Sequence, residues 1–198
     1  MALSFLVLLA TLARPGVSFE QTTQVSVEGR PPGARIVSRV WHQGRRMRLE
    51  SGAPGGPAFI LRLDQGRAFR LDPARKTAVQ LDVDGLRQRS REDVATAAEL
   101  MGAGPEASVR SVRLEGTRTI AAHLCRGYRL TAASAVLDVW VATDLPLGME
   151  AFTDFLEGAG ASEAMAALID ELQQIRGFPL ETRARVSILG QVQETLTT

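Results

Sequence analysis

From Ala34 to Asp82 the chain keeps a two-residue hydrophobic period through run after run, and nothing else in its 198 residues constrains the fold as strongly. A strand sends successive side chains to opposite faces, so a half-buried sheet repeats every two residues. Met47 and Leu49 alternate with Arg46, Arg48 and Glu50; Phe59, Leu61 and Leu63 with Arg62 and Asp64; Phe69 and Leu71 with Arg70 and Asp72; and Thr77, Val79 and Leu81 follow in the same manner. Between the runs stand Gln43-Gly44, Gly52 to Pro57, Gln65-Gly66 and Asp72-Pro73, where glycine supplies positive φ and proline presets a turn torsion. Short connections between alternating runs predict an antiparallel meander of at least four strands. One face is apolar and the other is thick with arginine and aspartate, so the apolar face has to be laid on something else.

The rest of the chain supplies that cover. Gln21 to Glu28 reads as a first strand and Gly29 to Gly33 as a turn. Ser90 to Asp93 resembles a capping box, and Val94, Ala97, Ala98 and Met101 recur at helical spacing behind it. From Val109 the two-residue period returns, with a turn expected near Gly116, a long strand from Ile120 to Leu130, and another carrying Leu137, Val139 and Val141. Two helical stripes come next, Met149, Phe152, Phe155 and Leu156, then Met165, Leu168, Ile169 and Leu172. Leu180 to Ile188 and Gln191 to Thr197 close the chain as a pair of strands. Helices inserted among strands and carrying apolar stripes cover the apolar face of a sheet, so the expected class is α+β in one domain spanning residues 19–198.

Residues 1–18 read as a signal peptide, although no basic residue precedes the apolar run, and a buried N-terminal helix is the alternative. Ala2 to Ala13 is continuously apolar, too short for the roughly 20 residues that span a bilayer, and is broken by Arg14-Pro15-Gly16. Thr11 with Ala13, or Gly16 with Ser18, are the small residues of a cleavage site, placing the cut near 13 or 18. A mature protein soluble in the periplasm is therefore expected, with no stable membrane span. The single cysteine, Cys125, rules out an intramolecular disulfide framework and any multi-cysteine metal site, and no cysteine follows the apolar segment to carry a lipid anchor. Net charge is +1 and the arginines are interleaved with acids, so no nucleic-acid footprint is expected.

Motifs for chemistry are sparse. His123 and Cys125 lie two apart on a predicted strand, and His42 is the one other histidine; the bland reading, a packed thiol and a surface imidazole, is preferred to a metal site. Asp82-Val83-Asp84-Gly85 starts like a calcium loop, yet the glycine and glutamate such a loop needs further on are Arg87 and Asp93, so it reads as a strand-ending turn. Gly52 to Pro57 lacks the lysine of a phosphate-binding loop and reads as a hairpin connection. Asp64 and Asp72 fall in hairpin corners, where aspartate bonds local backbone. No catalytic residue, metal or cofactor is expected, and the protein is read as a non-enzyme.

Val40 to Glu50 (VWHQGRRMRLE), Ile60 to Asp64, Leu71-Asp72-Pro73 with Lys76-Thr77, Leu114 to Thr117, Cys125 to Tyr128, Val139 to Pro146 and Gly177 to Leu180 together resemble a family of exported bacterial domains of unknown function that is similar to the LolA-like lipoprotein-carrier superfamily. The resemblance implies a strongly curved antiparallel sheet, a half-open barrel, whose concave apolar face is covered by helices and holds acyl chains. One departure is that the family pattern usually has a glycine after the Thr-Ile pair, where this chain has Ala121-Ala122.

The expected function is an exported carrier or binding module for a hydrophobic ligand, a lipid or lipoprotein acyl chain, in the bacterial envelope. Its lining is expected to include Met47, Leu49, Leu61, Phe69, Val139 and Val141 from the sheet and Phe152, Phe155, Leu168 and Leu172 from the helices. The alternative is a packed module that meets an envelope protein through its outward arginines, Arg46, Arg48, Arg62 and Arg70.

Overall fold

The computed structural model describes residues 16–82, 85, 88, 108–132, 135–158, 166–188 and 191–198. The apolar segment Ala2 to Ala13, the stripe Val94 to Met101 with its capping box, and Met165 lie outside the described residues.

The meander is present and has five strands: β2 (Ile36–Gln43), β3 (Arg46–Ser51), β4 (Ala58–Arg62), β5 (Arg67–Asp72) and β6 (Thr77–Leu81), each antiparallel to the next. The first strand, β1 (Val17–Val27), begins four residues before its predicted start and pairs with β2. A second meander follows, comprising β7 (Arg110–Ile120), β8 (His123–Thr131), β9 (Ala135–Ala142), β10 (Phe178–Ile188) and β11 (Gln191–Thr197). Two helices, α1 (Met149–Gly158) and α2 (Ala166–Gln173), are inserted between β9 and β10. Pairing of β1 with β11 joins the meanders into one 11-stranded sheet of order β6-β5-β4-β3-β2-β1-β11-β10-β9-β8-β7. The sheet is open, with β6 and β7 at its edges, and the arrangement is consistent with a curved sheet that carries two short helices.

Register carries one face across the whole sheet. His42 lies between Val17 and Met47, Met47 opposite Leu61, Leu61 opposite Ala68, and Ala68 opposite Leu81. On the other side of the seam Thr23 meets Thr197, Thr197 meets Thr182, Thr182 meets Val139, and Val139 meets Tyr128. Both helices lie on this face: Met149 from α1, Leu172 from α2 and Ile175 just after it share a buried cluster with Leu130, Val139 and Val141.

Two sequence expectations need correction. The alternation assigns Phe69 to the apolar face of Met47 and Leu61 and Arg70 to the outer face, but Phe69 pairs with Ile60 and Gln80 and points the other way, which carries Arg70, opposite Phe59 and Val79, onto the inner face. Arg67-Ala68-Phe69-Arg70-Leu71 contains two interleaved alternations, and the turn that sets Arg62 opposite Arg67 selects the one led by the small Ala68, because a one-residue slip exchanges the faces. The turn expected near Gly116 is instead a bulge inside β7, where the register shifts between Arg113 and Thr117 and Gly116 takes φ 75°. The chain reverses at Ala121-Ala122, both at positive φ (48° and 67°), between the paired Ile120 and His123. That is a tight two-residue hairpin built without glycine.

Candidate functional site

The face under the helices is not filled everywhere. A cavity of about 950 Å³ lies between the sheet and the two helices. It is bounded by Val17 and Phe19 of β1, by Val40, His42 and Met47 from the first meander, by Ala151, Phe152 and Leu156 of α1, and by Leu168 of α2. Its wall also takes in Ile120 and His123 at the β7–β8 turn, the segment Leu145 to Leu147, Phe178 to Thr182 of β10, and polar residues that include Glu20, Gln21, Thr23 and Thr197.

Strand pairing explains its position. β11 meets β1 through Thr23 to Val27 and β10 through Thr182 to Ile188. The earlier parts of β1 and β10 therefore run past the reach of that ladder, and Phe19 and Phe178 bridge them edge to face with centroids 5.4 Å apart. Aromatic rings in this geometry close a sheet gap with apolar surface in place of backbone hydrogen bonds.

Most polar groups around the cavity are occupied. Thr23 and Thr197 hydroxyls lie 3.3 Å apart, Arg39 donates to Glu20 at 2.9 Å, Arg118 donates to Glu181 at 3.3 Å, and His123 Nδ1 is 2.9 Å from the Asp144 carboxylate. That last bond holds the Asp144 carboxyl below its ordinary range. His42 differs. It is 8% exposed, and its Nε2 has no hydrogen-bond partner. Burial lowers its pKa from 6.5, while Asp154 and Glu150 on α1 pull it back upward. The net shift is downward, so the imidazole is neutral near neutral pH.

Three of the ten residues named from sequence line the cavity: Met47, Phe152 and Leu168. Val139, Val141 and Leu172 are almost fully buried in the cluster beneath the helices, and Leu49 and Leu61 belong to a cluster of the first meander around Val40 and Ala68. Phe69 is on the opposite face, and the side chain of Phe155 lies outside the described residues. Sequence reasoning missed Phe19, His42 and Phe178 as lining residues. The signal for His42 was available, since it stands two residues after Val40 across a two-residue turn from Met47.

The other candidates resolve locally. Cys125 is fully buried, its thiol donates to the His123 carbonyl oxygen at 3.5 Å, and burial pushes its pKa up, which suppresses the reactive thiolate. Among the described residues no group of three or more His, Cys, Asp or Glu is placed to hold a metal ion. The Asp82 carboxylate accepts the Gly85 N–H at 3.0 Å, and Asp72 accepts the Arg75 N–H at 3.0 Å, both local backbone bonds of the expected kind. Asp64 instead takes guanidinium donors from Arg62 at 2.9 Å and Arg46 at 3.2 Å, which lower its pKa to about 2. Among the described residues no helix is long and apolar enough to cross a membrane.

Comparison with known proteins adds little. No family model and no curated protein matches the chain. Two crystal structures of PNGF-II, in space groups P21 and C2, align with 91% of this chain at 11% and 13% identity and a TM-score of 0.31. The chain spans 27% of their length, and a likeness that weak carries no argument about fold or activity.

Proposed function

We propose that the protein is an exported, non-enzymatic carrier or binding module of the bacterial envelope that holds a lipid or acyl chain between its sheet and its helices. The cavity carries this reading. Its volume of about 950 Å³ is at the upper end of the roughly 300–1,000 Å³ of pockets that take small ligands, and aromatic and aliphatic side chains dominate its wall. The resemblance to LolA-like carriers supports the same use of the same face: a half-open barrel whose helices roof its concave side. The apolar segment Ala2 to Ala13 supports export to the periplasm. A cut after Ala13 leaves β1 whole, whereas a cut after Ser18 removes the pairs of Val17 with His42 and Ser18 with Trp41.

A second reading, a module that binds an envelope protein through the outer face, draws on Trp41. Arg39 and Arg48 sit 5.9 Å and 5.8 Å from its ring, and tryptophan and arginine are both enriched at interface hot spots. Against it, Arg48 donates to Glu50 at 2.7 Å, and Arg46 and Arg62 are engaged by Asp64 within the sheet.

Native mass spectrometry of protein purified from its own envelope separates the two. The carrier reading expects a co-purified lipid and uptake of an acyl-chain probe whose affinity rises about fourfold per added methylene, from ~0.8 kcal/mol each. A clean apo mass with no uptake overturns it. A protein crosslink that disappears in Trp41→Ala would then favour the outer face.

A further inference from the structure

We propose that the gap in the sheet between β1 and β10, beyond the end of β11, is a binding site for an extended peptide of about five residues, which fills the vacant strand position and pairs with the main chain of β1.

The argument begins with direction. In an antiparallel ladder, successive residues turn their main-chain N–H and C=O alternately to the neighbour on either side. Thr22 exchanges both bonds with Thr198, at 2.6 Å and 2.9 Å, and Glu28 donates to Val192 at 2.9 Å, so the even-numbered residues of β1 face β11. Val25, of the odd set, accepts from Gly33 at 2.9 Å on the β2 side. Ser18 and Glu20 belong to the even set. The ladder with β11 covers Val27 to Thr23 and closes with the Thr22–Thr198 pair, so among the described residues no strand lies opposite them. Their main-chain donors and acceptors therefore face the gap, while Val17, Phe19 and Gln21 turn theirs to β2, opposite His42, Val40 and Ser38. Ser18 and Glu20 are both exposed, and both line the cavity together with Thr197 and Thr198. Across the gap, the bulge between Pro179 and Glu181 leaves Leu180 of β10 unpaired with β9, and it lines the same cavity. Much of the polar part of the wall is thus the open end of a strand ladder in the middle of a sheet.

An acyl chain has nothing to offer such groups. An extended peptide carries donors and acceptors in the same alternation, which is how strands add to open sheet edges. Val17 to Gln21 flank a slot of about five residues, roughly 17 Å at ~3.4 Å each. A peptide that continues the direction of β11 runs antiparallel to both β1 and β10, as β11 does. Residues directly opposite one another share a face, so those opposite Gln21, Phe19 and Val17 turn toward the helices, and those opposite Glu20 and Ser18 turn outward. The central residue meets the rings of Phe19 and Phe178, 5.4 Å apart, and has to be small. The site therefore fits apolar residues on either side of a small one, with polar residues between. This inference goes beyond the carrier reading, because it uses the main chain at the gap in place of the apolar side chains.

The test is amide hydrogen exchange, read by NMR on the purified full chain. Without ligand, the Ser18 and Glu20 amides should exchange at least about tenfold faster than those of Phe19 and Thr22. The probe is acetyl-Val-Thr-Xaa-Thr-Val-amide with glycine, alanine or valine at its centre. At 100 times its Kd it should slow exchange at Ser18 and Glu20 by up to about 100-fold. The same peptides N-methylated at both threonines keep their side chains but lose the donors to β1, and should bind at least about tenfold more weakly. Ser18→Pro removes a donor at the gap and leaves the β2 ladder alone, so it should fold and bind about fivefold more weakly. Slow exchange at Ser18 and Glu20 in the unliganded protein means that the gap is already filled, by this chain or by a second copy, and overturns the proposal. Absence of binding at millimolar peptide, or equal binding of the N-methylated peptides, overturns it as well. Should Ser18→Pro fail to fold, the N-methylated peptides decide. None of these outcomes touches the uptake of an acyl-chain probe, on which the carrier reading stands or falls.

Discussion

The two meanders are built from the same kind of alternating strand, yet they are buried differently. In the first, Val40, Met47, Leu61 and Ala68 form a one-sided cluster, the outer face mixes Arg46, Arg48, Glu50 and Arg62 with Trp41, Ile60 and Phe69, and the edge strand β6 is exposed except at Leu81. In the second, both faces are packed. Val139 and Val141 lie at 0% and 1% exposure under the helices, while Cys125, Trp140 and Ala142 form a separate cluster on the reverse side. The tryptophans show the contrast. Trp41 is half-buried between two arginines, whereas Trp140 is buried, with Arg118 at 4.1 Å over its ring and Gly127 beneath it. A Cβ at position 127 would come within 2.8 Å of that ring, so the close approach requires glycine. Alternation makes a strand amphipathic, but what lands on it determines how rigid it becomes. Helices that leave β9 and return to β10 fold back on their own neighbourhood, so the second half is a packed body, the first is a bare sheet, and the cavity occupies the seam.

The largest expected effect should separate the halves. Leu172→Ala removes a fully buried side chain from the packed half and should cost about 3–5 kcal/mol, whereas Leu61→Ala, at the edge of a one-sided cluster that can relax, should cost about 2 kcal/mol. Chemical denaturation of both variants checks this, and equal losses would break the contrast.

Asp138 sharpens it next. On the outer face of the packed half it receives Arg129 at 2.6 Å and 2.9 Å and Arg185 at 3.1 Å. Asp138→Asn should cost about 1–3 kcal/mol near neutral pH, with the lower end favoured because both arginines remain able to reach water. The Arg129 hydrogen bond lowers the Asp138 pKa from 3.8, against an opposing effect of burial. The folded value is below the unfolded one, so its stabilisation is complete above the ordinary carboxylate range and is lost as pH falls through the folded value. Below about pH 4 the stability of the variant should fall less steeply than that of the unaltered protein, and parallel curves would show that the pair contributes nothing.

The smallest effect is at the β7–β8 hairpin. Ala122 holds φ 67°, a conformation that costs an L-residue roughly 1–2 kcal/mol, so Ala122→Gly should raise stability by about 1 kcal/mol after the extra freedom of glycine in the unfolded chain is counted. A lowered melting temperature would mean that the methyl group does packing that outweighs the strain.

Much of the architecture was legible because it rests on local physics. The period of two placed the strands of the first meander, the stripes at Phe152 and Leu168 placed both described helices, and Gln191 to Thr197 was bounded as found. The errors occurred where two local readings were equally good. Arg67 to Leu71 supports either face for Phe69, and Gly116 suits a bulge as well as a turn.

Sequence by itself determined that the chain would make amphipathic antiparallel strands with a few helices to cover them, because side-chain direction follows from backbone geometry within a few residues. Only the tertiary structure decided that β1 would pair with β11, that Val139 and Leu172 would be sealed in the core, and that His42 would stand unpaired at a cavity. Those outcomes depend on residues far apart in the chain meeting in one register, and no local period carries that information.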